Sequence, residues 1–260
     1  MSSRTRHLHF DFSALSARDR YKLLIGTVIP RPIAFVTTVD EHGRVNAAPF
    51  SFFNCLSADP PIVAIGVENH DDMTFKDTGR NIRQTEQFTV NIVDDAMVEG
   101  MNVCAVPFPP DVDELAAAKL TAVPGTHVKC PRISEAPASL ECRRYVTLEV
   151  GRSREIILGE VLAVFVRDGL VDRSKKYVDQ RAMDAIGRMG GDGYARTRDY
   201  FDLRTLSLEQ WERREETHRK TGKTDNEIAT GPALGRSVAP DASEPGRAAK
   251  STVGITPQQE

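Results

Sequence analysis

The chain has 260 residues, 40% hydrophobic and 27% charged, which suits one soluble globular domain with room for tails. A formal net charge of −3 argues against nucleic acid as a main partner, because phosphate binding needs a basic face. No apolar run reaches the roughly 20 residues of a membrane span, and the start, "MSSRTRHLHFDF", lacks the apolar region of a signal peptide. Cys55, Cys104, Cys130 and Cys142 form no CxxC pair, so a reduced, cytoplasmic setting is expected.

In chain order, residues 13–25 predict a short helix with Ser13 or Ser16 as N-cap. After Pro30 and Pro32 the texture turns to β, with short strands at 33–39, 45–50 and 61–67. A helical stretch at 73–88 feeds a strand at 88–94. Further helical pieces follow near 95–104 and 112–119, on either side of the Pro-rich crossing "VPFPPDVDE". Strands at 143–151 and 155–169 come last. Many short strands with few, brief helices predict a mainly β barrel or sandwich rather than a doubly wound sheet. From Glu212 onward there is no aromatic residue. Residues 211–260 are therefore expected to be a polar, disordered tail, opening as a solvated helix and unable to offset its ordering entropy. Residues 1–18 are taken as an extension and 19–210 as the domain.

Several chemistries find no anchor. "TGKTD" (221–225) resembles the end of a P-loop, but Thr217 stands where that loop needs its first glycine. "GRMGGDG" (187–193) lacks the GxGxxG spacing of a dinucleotide fold. His7 and His70 have no second ligand cluster, so no metal is expected. There is no GxSxG and no cysteine with an obvious histidine partner, hence no candidate nucleophile.

Three stretches carry more chemistry than their secondary structure requires. In "VNAAPFSFFN", Asn46, Ala48 and Phe50 share one strand face, and Ala47, Pro49 and Ser51 the other. The alanines leave room for a flat ligand, Pro49 marks an edge or an end, and Ser51 and Asn54 offer hydrogen bonds. In "FKDTGRNI", Asp77 or Thr78 can cap a helix whose free N–H groups, beside Lys76 and with Asn81 one turn on, suit a phosphate. In "IGRMGGDGYAR", four glycines between Arg188 and Tyr194 imply a backbone passing close to something or taking positive φ. By itself each has an ordinary explanation: an edge strand, a capped surface helix, a surface loop.

Together and in this order, with "RPIAFVTTV", "QFTVNIV", "LECRRYV" and "ILGEVLAVFV", they resemble the flavin reductase-like, FMN-binding split-barrel family from about Asp19 to Leu206. Met189 replaces the usual leucine, a volume-conserving change. The resemblance implies a six-stranded, Greek-key split β-barrel with short helical insertions, forming a homodimer with an FMN at each edge of the interface. FAD is the alternative flavin, and NAD(P)H the hydride donor. It implies Ala48–Asn54 along the flavin with Asn46 and Ala47, Lys76, Asp77, Thr78 and Asn81 at the phosphate end, and Arg31 and Pro32 beside the ring. Arg188, Gly190 and Tyr194 would close the site. The implied activity is NAD(P)H:flavin reduction, with a flavin-dependent monooxygenase as partner. An FMN electron carrier and a non-catalytic ligand-binding barrel are the alternatives. The flavin carries the chemistry, so no catalytic side chain is expected.

Overall fold

A computed structural model describes residues 6–109 and 112–222, and the backbone of 237–238. The chain falls into two compact units, Met1–Arg198 and Asp199–Glu260.

The first unit opens with a 3-10 turn, Phe12–Ala14, and helix α1, Ala17–Thr27. The single helix expected at 13–25 is divided because two side chains cap in succession. Asp11 accepts from the Ser13 N–H, and Ser16 from the Asp19 N–H. Strands β1 (Arg31–Pro32), β2 (Ala34–Val39), β3 (Val45–Phe50), β4 (Phe53–Ala58) and β5 (Pro61–Glu68) follow. Then come α2 (Asp77–Thr85), β6 (Gln87–Ile92), α3 (Val98–Val103) and α4 (Glu114–Ala117). Two short strands, β7 (Ala122–Val123) and β8 (Arg132–Ile133), precede the long pair β9 (Ala138–Val150) and β10 (Arg154–Val166). The unit ends with β11 (Val171–Asp172), β12 (Tyr177–Val178), α5 (Gln180–Met183), β13 (Ile186–Arg188) and β14 (Tyr194–Arg196).

Seven strands hydrogen-bond in the order β3-β2-β6-β9-β10-β5-β4. This is the expected mainly β split barrel, with one strand more than the six expected. The additional strand is β4, which sequence periodicity did not separate from the exit of β3. Connectivity forces the closure. A flat seven-stranded sheet would hold its two edges about 29 Å apart, at roughly 4.8 Å per strand. Yet the edge strands β3 and β4 are joined by Ser51 and Phe52 alone, a link that reaches about 10 Å. The sheet must therefore curl until its edges meet. No ladder joins β3 to β4, so the barrel stays split at that seam.

All six residues of β2 are buried, because both of its faces are covered. Ala34 and Val36 face the barrel interior with Ile65, Phe88, Val90 and Ile157. Phe35 faces outward into a second core with Ala47, Met101, Leu115 and Ile186. A buried asparagine fastens the two layers: Asn91 donates to the Phe35 carbonyl (3.1 Å) and accepts from the Ile133 N–H (2.9 Å) and Ser139 Oγ (2.8 Å).

In the second unit, β15 (Phe201–Asp202) pairs with β16 (Ser237–Val238). Helix α6 (Leu208–Thr221) starts at a capping box of Ser207 and Gln210, as the solvated helix expected there. Apart from 237–238, the tail beyond Gly222 lies outside the described residues. Among the described residues no helix is long and apolar enough to cross a membrane.

Candidate functional site

The candidate residues gather at two places joined by β3. The first is the start of α2. This helix packs on β2 and β3 and buries Thr78, Gly79, Asn81 and Ile82. Ile82 anchors the helix in the barrel core, and polar contacts complete the seating. Asn46 Nδ2 donates to Thr78 Oγ1 (3.0 Å), and Asn81 Nδ2 donates to Thr38 Oγ1 (3.1 Å). Asn81 is 2% exposed, and its Oδ1 has no hydrogen-bond partner among the described residues.

The expected cap by Asp77 or Thr78 is corrected. The N-cap residue is Lys76, with no side-chain cap. Thr78 is turned inward onto Asn46, and Asp77 forms an ion pair with Arg80. The first intrahelical bond is Arg80 N–H to the Lys76 carbonyl, 3.0 Å. The N–H groups of the first turn therefore keep the positive end of the helix uncapped by any side chain. No ion pair to Lys76 is found among the described residues.

The second place is the far end of β3, five residues from Asn46 and about 17 Å away at strand rise. Arg31 is 6% exposed. Its guanidinium donates to the Ile25 carbonyl (2.7 Å), the Val28 carbonyl (3.0 Å), the Met189 carbonyl (3.0 Å) and Ser51 Oγ (3.4 Å). One side chain thus ties the C-terminal end of α1, the glycine turn and the β3–β4 bend together. Burial pushes its pKa below the ordinary arginine value, and the neighbouring Arg188 lowers it further while Tyr21 opposes.

The glycine turn joins β13 to β14. Its Gly190 lies against the backbone of Gly26, where an added Cβ would sit 3.3 Å from the Gly26 Cα. Gly191 takes φ +58°, so the positive φ expected in this loop is present. Arg188 stands opposite Arg31 across β1 and β13, donates to the Gly191 carbonyl (2.8 Å) and lies 4.4 Å over the Tyr194 ring. Pro32 pairs with Gly187 in the same ladder.

Other candidates take more ordinary places. Ala47 is fully buried in the outer core, so its methyl offers no wall to a ligand. Ala48 and Pro49 are half-buried on the edge strand, and Phe50 packs on the barrel interior. Asn54 is exposed on β4, and its Oδ1 accepts from the Cys55 N–H (2.8 Å).

Two contacts had no signal in the sequence. Glu114, on the short α4, accepts the outward N–H of Ala47 at 2.5 Å. Pro49, two residues on, has no N–H to leave unpaired, so the outward donors of this edge are covered at both positions. Glu155 is 1% exposed and pairs with Arg83 (Nε to Oε1, 2.6 Å), 72 residues away in sequence. Its other oxygen lies against Gly79, where an added Cβ would come within 2.5 Å. The glycine in "KDTGRNI" is required by a buried carboxylate. Burial also pushes the Cys104 and Cys130 thiols up to about 12, which leaves both inert as nucleophiles at neutral pH.

Burial raises the Glu114 pKa above its ordinary 4.5, against the Ala47 hydrogen bond, and Asp77 and Asp113 add to the rise. Between the ordinary and the raised value Glu114 binds more protons in the folded than in the unfolded state, so its own contribution to stability falls as pH rises through that window. Glu114→Gln is expected to flatten this slope in urea unfolding measured from pH 4 to 7. An unchanged slope would remove Glu114 as its source.

The fold is that of a flavin reductase-like protein. The chain matches the family model "Flavin reductase like domain" over residues 25–185, and it belongs to that family. It is 46% identical over 220 residues to an uncharacterized protein of Deinococcus radiodurans, covering 81% of this chain and 96% of that one. Among solved structures it is similar to the 2-nitrobenzoate 2-nitroreductase NbaA of Pseudomonas fluorescens. Identity there is 36%, TM-score 0.72, and coverage 77% of this chain and 98% of that one. It is also similar to nitrilotriacetate monooxygenase component B of Bacillus cereus, with 30% identity, TM-score 0.71, and coverage of 78% and 100%.

Proposed function

We propose that this chain binds FMN along β3, reduces it with NAD(P)H, and passes the reduced flavin to a separate monooxygenase component. The observation that carries the proposal is the pair of cationic ends joined by one small-residue strand. An uncapped helix start with Lys76 stands at one end, and Arg31 with Ser51 at the other. That donor set fits FMN, whose phosphate needs cations and N–H groups and whose ring needs a shallow wall with a polar edge. Hydride acceptance from a nicotinamide, and onward electron transfer, are the chemistry a bound flavin supplies.

In this assignment Lys76 and the first-turn N–H groups hold the phosphate, with Thr78, Asn46 and Asn81 bracing that rim from below. Asp77 is kept from repelling the phosphate by Arg80. The main-chain edge of β3 at Ala48 and Pro49 forms the wall, Ser51 donates to the ring's polar edge, and Arg188 with Gly190 and Tyr194 closes the site. Exposed apolar residues on β9 and β10 support a homodimer: Leu148 and Ile156 are cross-strand neighbours, with Tyr145, Leu162 and Val164 on the same two strands.

The test is stopped-flow mixing of the FMN-loaded protein with NADH and with NADPH. Rapid bleaching of the flavin band by either supports a reductase; bound FMN that neither bleaches makes the protein a carrier. Failure to bind FMN at all refutes the assignment at its root. A nitroarene is the second acceptor to assay, because a relative 36% identical bears the name 2-nitrobenzoate 2-nitroreductase. Lys76→Ala is expected to weaken FMN binding by about 1.5–3 kcal/mol, roughly ten- to hundredfold in Kd. An unchanged Kd in a fluorescence titration would take Lys76 out of the phosphate site.

A further inference from the structure

Arg31 presents an electrostatic problem. A guanidinium buried to this degree ordinarily has a carboxylate partner. Arg31 has none within ion-pairing distance among the described residues, and its cross-strand neighbour is a second cation, Arg188. The carbonyls at the end of α1 supply only about half a negative charge. A net positive charge therefore remains inside the fold, directly behind Ser51. Because Ser51 Oγ accepts the Arg31 Nε–H, its own hydrogen is free to be donated away from Arg31. A hydroxyl bonded to a cation in this way is a polarised donor.

We propose that Arg31 is a positioning residue which, through the Ser51 hydroxyl, makes the site hold reduced flavin more tightly than oxidised flavin. The proposal rests on FMN lying along β3. A hydride brings two electrons and one proton to a neutral ring and leaves the nicotinamide as a cation, so the ring gains one negative charge. A fixed donor backed by an unneutralised cation favours that added charge and contributes less to the neutral ring. The consequence is a raised two-electron midpoint potential, which makes the bound flavin the thermodynamic sink for nicotinamide hydride.

The test measures the dissociation constants of the full chain for oxidised FMN and for dithionite-reduced FMN under anaerobic conditions. Wild type is expected to bind the reduced form about tenfold more tightly, equivalent to about 30 mV above free FMN for two electrons. Ser51→Ala and Arg31→Met are each expected to bring that ratio towards one. Arg31→Lys keeps the charge and is expected to keep most of the preference. A purely structural Arg31 would respond alike to methionine and lysine, so the ratio separates the two roles. Ser51→Ala, which removes only the hydroxyl, carries the test if Arg31→Met does not fold. A ratio near one in wild type, or an unchanged ratio in Ser51→Ala, overturns the proposal while leaving FMN binding intact. A wild-type protein that binds FMN in neither state overturns the FMN assignment and this proposal together.

Discussion

Arg31→Met should lower the unfolding free energy by about 3–5 kcal/mol, the largest loss expected from any single change near the site. Three backbone carbonyls, from Ile25, Val28 and Met189, lose their donor at once, each at a cost of about 1–3 kcal/mol. Relief of the buried charge's own desolvation offsets part of that sum. Lysine should recover little stability, because a single ammonium cannot span acceptors on three separate elements as the guanidinium fork does. Urea unfolding of the three proteins is the measurement, with α1 and the glycine turn expected to become early sites of proteolysis in both variants. A loss below about 1 kcal/mol for Arg31→Met would show that these contacts do not hold the region together.

Gly79→Ala should also destabilise, by about 1–3 kcal/mol, although helix propensity alone predicts a gain of roughly 1 kcal/mol. The two expectations differ in sign, which makes the variant decisive. The new methyl would sit 2.5 Å from Glu155 Oε2, so either α2 lifts from the barrel or the carboxylate leaves Arg83. Both responses move the start of the helix, so under the proposed FMN assignment affinity for FMN should fall together with stability. Glu155→Asp, one methylene shorter, should partly rescue Gly79→Ala by withdrawing the carboxylate. A variant more stable than wild type would mean that the helix tolerates the methyl and that this close approach carries no weight.

The strands at 33–39, 45–50 and 61–67 were legible in the sequence because alternation and turn residues bound them, and their observed limits differ by a residue or so. β4 was not legible. Asn54, Cys55 and Leu56 are exposed, so an edge strand facing solvent loses the hydrophobic period that marks a strand. The helix before β6 is shorter than expected, Asp77–Thr85 rather than 73–88, because residues ahead of Lys76 form turns of their own; His70 and Thr74 pair across one of them. Thr78 was visible as a capping type, but its inward turn onto Asn46 depends on β3 lying beneath it, which no local pattern records.

The sequence by itself determined the family, the mainly β class and the three segments that make up the candidate site. Those follow from residue types and their order along the chain: small residues with Pro49, a lysine ahead of a helix start, and clustered glycines. Only the tertiary structure decided what each residue touches. It assigned Ala47 to a core, Gly79 to a buried carboxylate, and Arg31 to a charge with no counter-ion among the described residues. The reason is physical. Hydrogen bonds and ion pairs form between groups brought together by the closure of the barrel. Arg31 and Met189 are 158 residues apart in sequence, and their 3.0 Å contact exists only once β1 has paired with β13.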